Sequence, residues 1–290
     1  MKCVMNRGIY LRADGRLPCY CGAGETVTLG VLPRNRPFNF ISDYYHNPAF
    51  ARIRTMMAEE LTPWPGICDQ CTYLEVEAED DAGLIETEVE WFHWEPSYLC
   101  MLDCEWCRGQ RNGGESSKDR LLPWPMFKEV IDSLAEAGLT LKMGNVCGVG
   151  EPTTNTELWD QIKTVRDRLG GDILVSTNGN GPYSEKIVPS GLTKIKIAVD
   201  AVSQAAYQRY RKNGSLRRAM EFTRKVAEDK VRFGSEHPII IWQYILFNYN
   251  DSDEDLIYWQ NLALDHGVDR LRFVFTRCNK YSLRTPDQIP

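Results

Sequence analysis

From about residue 89 onward, short apolar runs alternate with stretches of helical periodicity, and this alternation constrains the fold more than any other feature. Runs at 89–94, 139–146, 172–176, 194–199, 239–247 and 270–275 read as strands. Stretches near 125–137, 156–169, 203–232 and 252–266 read as helices. In the last of these, Leu256, Trp259, Leu262, Ala263 and Leu264 recur at helical rather than alternating spacing. Strand–helix alternation implies parallel strands joined by right-handed crossovers, hence an α/β sheet or barrel. Six such units are too few for an eight-unit barrel, so a partial, TIM-like (β/α)6 barrel is expected over residues 89–290. In such folds the working residues gather at the C-terminal ends of the strands.

Residues 1–74 read differently. They are rich in Pro, Gly and aromatics, their periodicity is weak, and turns fall at Asp14-Gly15, Gly22-Ala23-Gly24 and Pro63-Trp64-Pro65-Gly66. A stretch of this kind assembles little core by itself, so a metal staple is physically useful there. Residues 75–88 form an acidic, solvated connector to the barrel.

Ten of the 290 residues are cysteine, at positions 3, 19, 21, 68, 71, 100, 104, 107, 147 and 278, and eight of them lie before residue 110. The first residues lack the apolar stretch of a secretory signal, so a cytoplasmic chain is expected. In that compartment clustered cysteines are more often metal ligands or catalytic groups than disulfides. A net charge of −6 argues against a general nucleic-acid binder. No apolar run approaches the roughly 20 residues that span a membrane.

The densest cluster follows the first strand of the expected barrel, as Cys100-Met101-Leu102-Asp103-Cys104-Glu105-Trp106-Cys107. A loop of this length can wrap three thiolates around one centre. Structural zinc is normally held by four ligands, whereas three thiolates suit an iron–sulfur cube with one iron left open to a further ligand. Gly148-Val149-Gly150-Glu151-Pro152 follows the second strand, and its glycines allow a close backbone approach while Glu151 offers acceptors for an ammonium group. Ser176-Thr177-Asn178-Gly179 closes the third strand with small polar groups. Asp200, Tyr207, Tyr210 and Arg211-Lys212-Asn213-Gly214 follow the fourth.

These four motifs, in this order from about residue 90 to 275, resemble the radical S-adenosylmethionine (radical SAM) enzymes. The resemblance implies a [4Fe–4S] cluster on Cys100, Cys104 and Cys107, with its open iron binding the amino and carboxylate groups of SAM. It also implies SAM contacts from Trp106, Gly148, Gly150, Glu151, Ser176, Asn178 and Asp200, and a bidentate pairing of Arg211 with the SAM carboxylate. Ala198 stands where many relatives carry Ser, so one hydroxyl contact is missing. The implied reaction is reductive cleavage of SAM to a 5′-deoxyadenosyl radical, which takes a hydrogen atom from a substrate. A flavodoxin- or ferredoxin-type donor would supply the electron.

The N-terminal stretch resembles the auxiliary-cluster (SPASM or twitch) extension of the same enzymes, here placed before the barrel instead of after it. The segments that carry this likeness are Asp14–Cys19, residues 47–54 and Cys68-Asp69-Gln70-Cys71. The likeness implies a second [4Fe–4S] cluster on Cys3, Cys19, Cys68 and Cys71, with Cys21 as the alternative to Cys19. A four-cysteine zinc site would use the same ligands. Cys147 reads as a small apolar residue. Cys278, just past the sixth strand, is placed to donate a hydrogen atom to a substrate radical. The expected function is therefore a radical SAM enzyme acting on a peptide residue or on a polar small molecule such as an aminosugar or nucleoside, by oxidation, epimerisation or bond formation. A non-catalytic iron–sulfur electron carrier is the alternative.

Overall fold

The structure is a computed structural model that describes residues 2–19, 27–71, 74–75, 85, 87–107, 121–276 and 280–290. The chain divides into two compact units. The first holds Met1–Pro96, Asp119–Val146 and Asp160–Ile173, and the second Ser97–Lys118, Cys147–Trp159 and Leu174–Pro290.

The first unit opens with β1 (Lys2–Cys3), β2 (Gly8–Leu11), β3 (Arg16–Pro18) and β4 (Thr28–Val31). Helix α1 (Pro48–Ala58) follows, started by Asn47, whose side chain accepts from the Ala49 N–H at 2.9 Å, with Pro in the first turn. It buries Phe50, Ile53 and Met57, three and four residues apart, which makes one apolar stripe. Then come β5 (Leu74–Glu75), β6 (Glu88–Trp94), α2 (Trp124–Glu136), β7 (Thr140–Val146) and α3 (Leu158–Leu169, in this unit from Asp160 on). Strands β1 and β5 pair antiparallel, as do β3 and β4, while β2 and β7 flank β6 in parallel. The apolar face of α2 seats Phe127 against Phe92 and Trp94 of β6.

The second unit carries β8 (Asp172–Thr177, which starts in the first unit), β9 (Lys194–Ala198), β10 (Ile239–Leu246) and β11 (Arg270–Phe275). All three pairs among them are parallel. Strand β10 alternates strictly between half-buried and buried residues. Its buried set faces helices: the Trp242 indole donates to Thr223 Oγ1 at 2.8 Å, and Tyr244 packs edge-on against Trp259. The half-buried set, Ile239, Ile241, Gln243 and Ile245, therefore points to the opposite face. The parallel strands run β7-β6-β2 in the first unit and β11-β10-β9-β8 in the second. This is the expected α/β architecture of a partial barrel, with the six anticipated strands present.

Two features depart from the sequence reading. Strand β6 gains a parallel neighbour, β2, from the stretch expected to form only the cysteine-rich region. All four residues of β2 are buried, so it shows no alternation to read, and a Cβ on Gly8 would lie 2.0 Å from the Trp91 ring. The long helix expected at 203–232 is two helices, α4 (Gln204–Tyr210) and α5 (Leu216–Arg232). The break falls where Asn213 takes a left-handed φ of 64° and Ser215 caps α5, its side chain accepting from the Arg218 N–H. The pieces pack differently, since α5 buries Leu216, Ala219, Phe222 and Val226 along one face. Helix α6 (Asp253–Asp265) completes the unit. Among the described residues, no helix is long and apolar enough to cross a membrane.

Candidate functional site

Within the second unit, three chain segments converge on the cysteine loop. Cys100 is exposed, Cys107 half-buried and Cys104 buried. The loop is held along its backbone: the Asp103 N–H donates to the Lys212 carbonyl and the Glu105 N–H to the Tyr210 carbonyl, both at 3.0 Å. The Cys107 N–H closes a turn onto the Cys104 carbonyl at 3.1 Å. Trp106 sits at the apex of that turn with a φ of 63°, a conformation that costs on the order of 1–3 kcal/mol for a bulky residue unless its surroundings enforce it. Stacking enforces it, because its ring lies 6.2 Å from Tyr210 and 6.1 Å from Phe247, with the Lys280 ammonium 5.3 Å away.

The glycine motif is built onto the same loop. A Cβ on Gly150 would stand 2.2 Å from the Ser97 carbonyl oxygen, so only glycine fits there. The Glu151 N–H donates to the Leu99 carbonyl at 2.7 Å, and the Thr154 hydroxyl donates to Ser97 Oγ at 2.6 Å. The close approach expected of Gly150 is thus made by the backbone leading into Cys100. Gly148 is exposed.

Glu151 is also placed differently from its expected role as an ammonium acceptor. It is 2% exposed. Its Oε1 accepts from the Thr177 hydroxyl at 2.6 Å, the Thr153 hydroxyl at 2.8 Å and the Thr153 N–H at 3.2 Å, and its Oε2 accepts from the Asn178 N–H at 2.8 Å. Burial pushes its carboxyl above the usual range, and these hydrogen bonds oppose the shift. Four protein donors take up the carboxylate, which cross-links the glycine motif to the end of β8.

Asn178 then reaches back to the cysteine loop, its amide 3.6 Å from Cys100 Sγ and 3.5 Å from Met101 Sδ. Ser176 Oγ is buried without a hydrogen-bond partner among the described residues. After β9, Asp200 is 2% exposed and accepts the Ile245 N–H at 2.8 Å on one oxygen and Arg211 Nε on the other. Arg211 Nη1 lies 3.8 Å from Cys104 Sγ. The guanidinium expected to grip a SAM carboxylate already has one edge on Asp200 and reaches a cysteine sulfur with another nitrogen. Despite its burial, the Asp200 carboxylate holds Arg211 above its usual pKa.

This donor set fits an iron–sulfur centre. The Leu102 N–H points at Cys100 Sγ from 3.4 Å, so an amide N–H, a side-chain amide and a guanidinium are all aimed at the sulfurs of Cys100 and Cys104. Such donors stabilise thiolate charge on a ligated sulfur. Without it, burial pushes the Cys104 thiol up to about 11. Among the described residues, no three His, Cys, Asp or Glu side chains stand at the geometry of a single metal ion. The ligands of a four-iron cube each hold a different iron and stand wider apart than that.

The family model of the Radical SAM superfamily matches residues 94–257, more than half of the chain. This chain belongs to the radical SAM superfamily. Among curated proteins, it is 25% identical over 180 residues to a GTP 3′,8-cyclase of Alkaliphilus metalliredigens, covering 61% of this chain and 52% of that protein. It is 26% identical over 133 residues to a probable GTP 3′,8-cyclase of Methanocaldococcus jannaschii, covering 44% and 42%. The chain thus spans about half the length of the curated relatives it matches. Solved structures similar to it include a radical SAM methyltransferase from Sphaerobacter thermophilus (TM-score 0.46, 18% identity, 67% of this chain and 59% of that one). Another is methylornithine synthase (TM-score 0.46, 15% identity, 65% and 53%).

The N-terminal cysteines belong to the first unit. Cys3 on β1 is in register with Leu74 on β5, three residues after Cys71, and the Cys71 N–H donates to the Cys68 carbonyl at 3.0 Å. Burial raises the pKa of the Tyr44 hydroxyl, and the nearby Cys3 and Cys19 add to that shift. Folding thus brings Cys3 back towards the segment that carries Cys68 and Cys71. Cys21 and Cys278 lie outside the described residues. Sequence reasoning did not find the Ser97–Thr154 clamp, or Tyr210 and Phe247 as the seat of Trp106. Those pairs are up to 141 positions apart, and nothing local signals them.

Proposed function

We propose that the chain cleaves SAM reductively and uses the resulting radical to take a hydrogen atom from a polar small molecule. The observation that carries this reading is the convergence of three donors, from Leu102, Asn178 and Arg211, on the sulfurs of Cys100 and Cys104. Cys100, Cys104 and Cys107 would hold a [4Fe–4S] cluster, which when bound supplies the electron that breaks the S–C5′ bond of SAM. A flavodoxin- or ferredoxin-type protein would reduce it.

The chain's own residues orient and enclose. Glu151 locks the glycine motif to the end of β8, which sets where Asn178 stands against Cys100. Asp200, anchored by the Ile245 N–H, fixes Arg211 beside Cys104 and leaves the far edge of the guanidinium for a carboxylate. The orphan Ser176 hydroxyl is a ready partner for a polar cofactor. Trp106, clamped on Tyr210 and Phe247, shields the loop from water. The relatives named as GTP 3′,8-cyclases favour a polar small molecule, nucleotides included, over a peptide.

In the first unit, Cys3, Cys19, Cys68 and Cys71 would hold a second, auxiliary [4Fe–4S] cluster, supported by the return of β1 onto β5. Anaerobic reconstitution tests both assignments. About eight irons per chain are expected, four per cluster, together with 5′-deoxyadenosine when dithionite and SAM are added. No 5′-deoxyadenosine would sink the enzymatic reading, and about four irons with one zinc would replace the auxiliary cluster by a zinc site.

A further inference from the structure

One face of the second unit's sheet carries two cations, Lys196 and Arg272, that have no carboxylate partner among the described residues. On β9, Ile195 and Ile197 are fully buried and Lys194 and Lys196 point the other way. Lys196 is in register with Ser176 on β8 and Ile241 on β10. Two residues on, Ala198 faces Gln243, which faces Arg272 on β11, so Lys196, Gln243 and Arg272 share one face. The opposite face is the one where Tyr244 and Phe273 pack on Trp259 of α6.

Lys196 is half-buried, yet neither it nor Arg272 has a carboxylate partner among the described residues. The charges that act on Lys196 are two guanidinium groups, Arg272 and Arg211, and the Cys147 thiol. Burial, with those two cations beside it, holds the Lys196 ammonium below its usual pKa. Lys196 is half-buried and Arg272 exposed, and two cations on one face without a carboxylate partner among the described residues favour a site that receives an anion. Strands stand about 4.8 Å apart, so cations two strands apart on long stems can close on one oxyanion between them, with the Gln243 amide as a further donor. Next to Lys196 lies Ser176, whose hydroxyl the reading above gives to the cofactor, so this patch adjoins the cofactor's place.

We infer that Lys196 and Arg272, with Gln243 between their strands, bind an oxyanion of the substrate, a phosphate or a carboxylate group. The inference rests on the radical SAM reading for its meaning as a substrate site, and it narrows the substrate to an anionic small molecule.

The test uses the full chain, reconstituted anaerobically and loaded with SAM, in low-salt buffer. Pyrophosphate, inorganic phosphate and acetate are titrated by calorimetry into wild type and into Lys196→Met and Arg272→Gln. At least one anion should bind the wild type, more weakly as salt is raised. Each variant should weaken that binding at least tenfold, Lys196→Arg should restore most of it, and SAM affinity should stay unchanged. Preference for the phosphates marks a phosphate-bearing substrate, and equal or better acetate binding a carboxylate. No anion binding by wild type overturns the inference, as does unchanged binding by variants whose melting shows them folded. So does a loss of SAM affinity in the variants, which would move these cations to the cofactor. Formation of 5′-deoxyadenosine without substrate is measured on the same samples. Its absence with anion binding intact would sink the enzymatic reading and leave the anion site standing.

Discussion

The two cysteine sets of this molecule are assembled in opposite ways. Cys100, Cys104 and Cys107 sit within eight consecutive residues, and tertiary structure adds the donors around them: Asn178 from the end of β8 and Arg211 from the end of α4. Cys3, Cys19, Cys68 and Cys71 span 69 positions, and tertiary structure must bring the cysteines themselves together, through β1 returning to β5 and Tyr44 standing beside Cys3 and Cys19. A local loop keeps its ligands close even when its surroundings loosen. A dispersed set has long loops to close and holds only while its unit is folded. Metal and fold should therefore be coupled weakly in the first case and strongly in the second.

The largest expected effect comes from removing the local set. Replacing Cys100, Cys104 and Cys107 with Ala should abolish 5′-deoxyadenosine formation and lower iron from about eight to about four per chain, with little change in the melting of the first unit. A large loss of stability in that unit would break the comparison. The double change Cys68→Ala and Cys71→Ala should do the reverse. The second metal is lost, the first unit melts at lower temperature or becomes susceptible to protease, and iron at the Cys100 loop is retained.

Arg211→Ala comes next. It leaves the Asp200 carboxylate buried without its cation, which typically costs about 3–5 kcal/mol, and it should weaken SAM binding while iron content stays the same. Unchanged SAM affinity, measured by equilibrium dialysis, would make Arg211 a purely structural partner of Asp200. Glu151→Gln is smaller. The amide oxygen can still accept, but its NH2 would meet either the Asn178 N–H or the threonine hydroxyls, and about 1–3 kcal/mol of stability should be lost. Because Glu151 sets the position of Asn178, the iron at the Cys100 loop should also become easier to strip with a chelator. A variant as stable as wild type would remove Glu151 from the support of the local set.

Much of the fold from residue 89 onward was legible because its signals are short-range. Strand–helix alternation marks β6 to β11, and the parallel order follows from crossover geometry. The order of the motifs at strand ends marks the family without any knowledge of contacts. What the sequence reading assigned differently are partners. Gly150 and Glu151 read as ligand-facing groups, since glycines and a carboxylate in a loop suit a ligand, whereas in the fold Ser97 fills the space beside Gly150 and four protein donors take up Glu151. The helix break at Asn213-Gly214 was present as residue types, but the amphipathic pattern runs across it, and its consequence, Arg211 at the end of α4, depends on Asp200.

By itself, then, the sequence determined the α/β class, the superfamily and the three thiols of the Cys100 loop, because these rest on periodicity and on spacings of a few residues. Only the tertiary structure decided that β2 joins the sheet, that Cys3 returns towards Cys71, and that Lys196 and Arg272 share a face without a carboxylate partner among the described residues. Each of these depends on strand order and register, which place residues many positions apart side by side. Burial then sets their energies, since a charge or thiol that is unremarkable in an unfolded chain becomes costly, and chemically directed, once water is removed from around it.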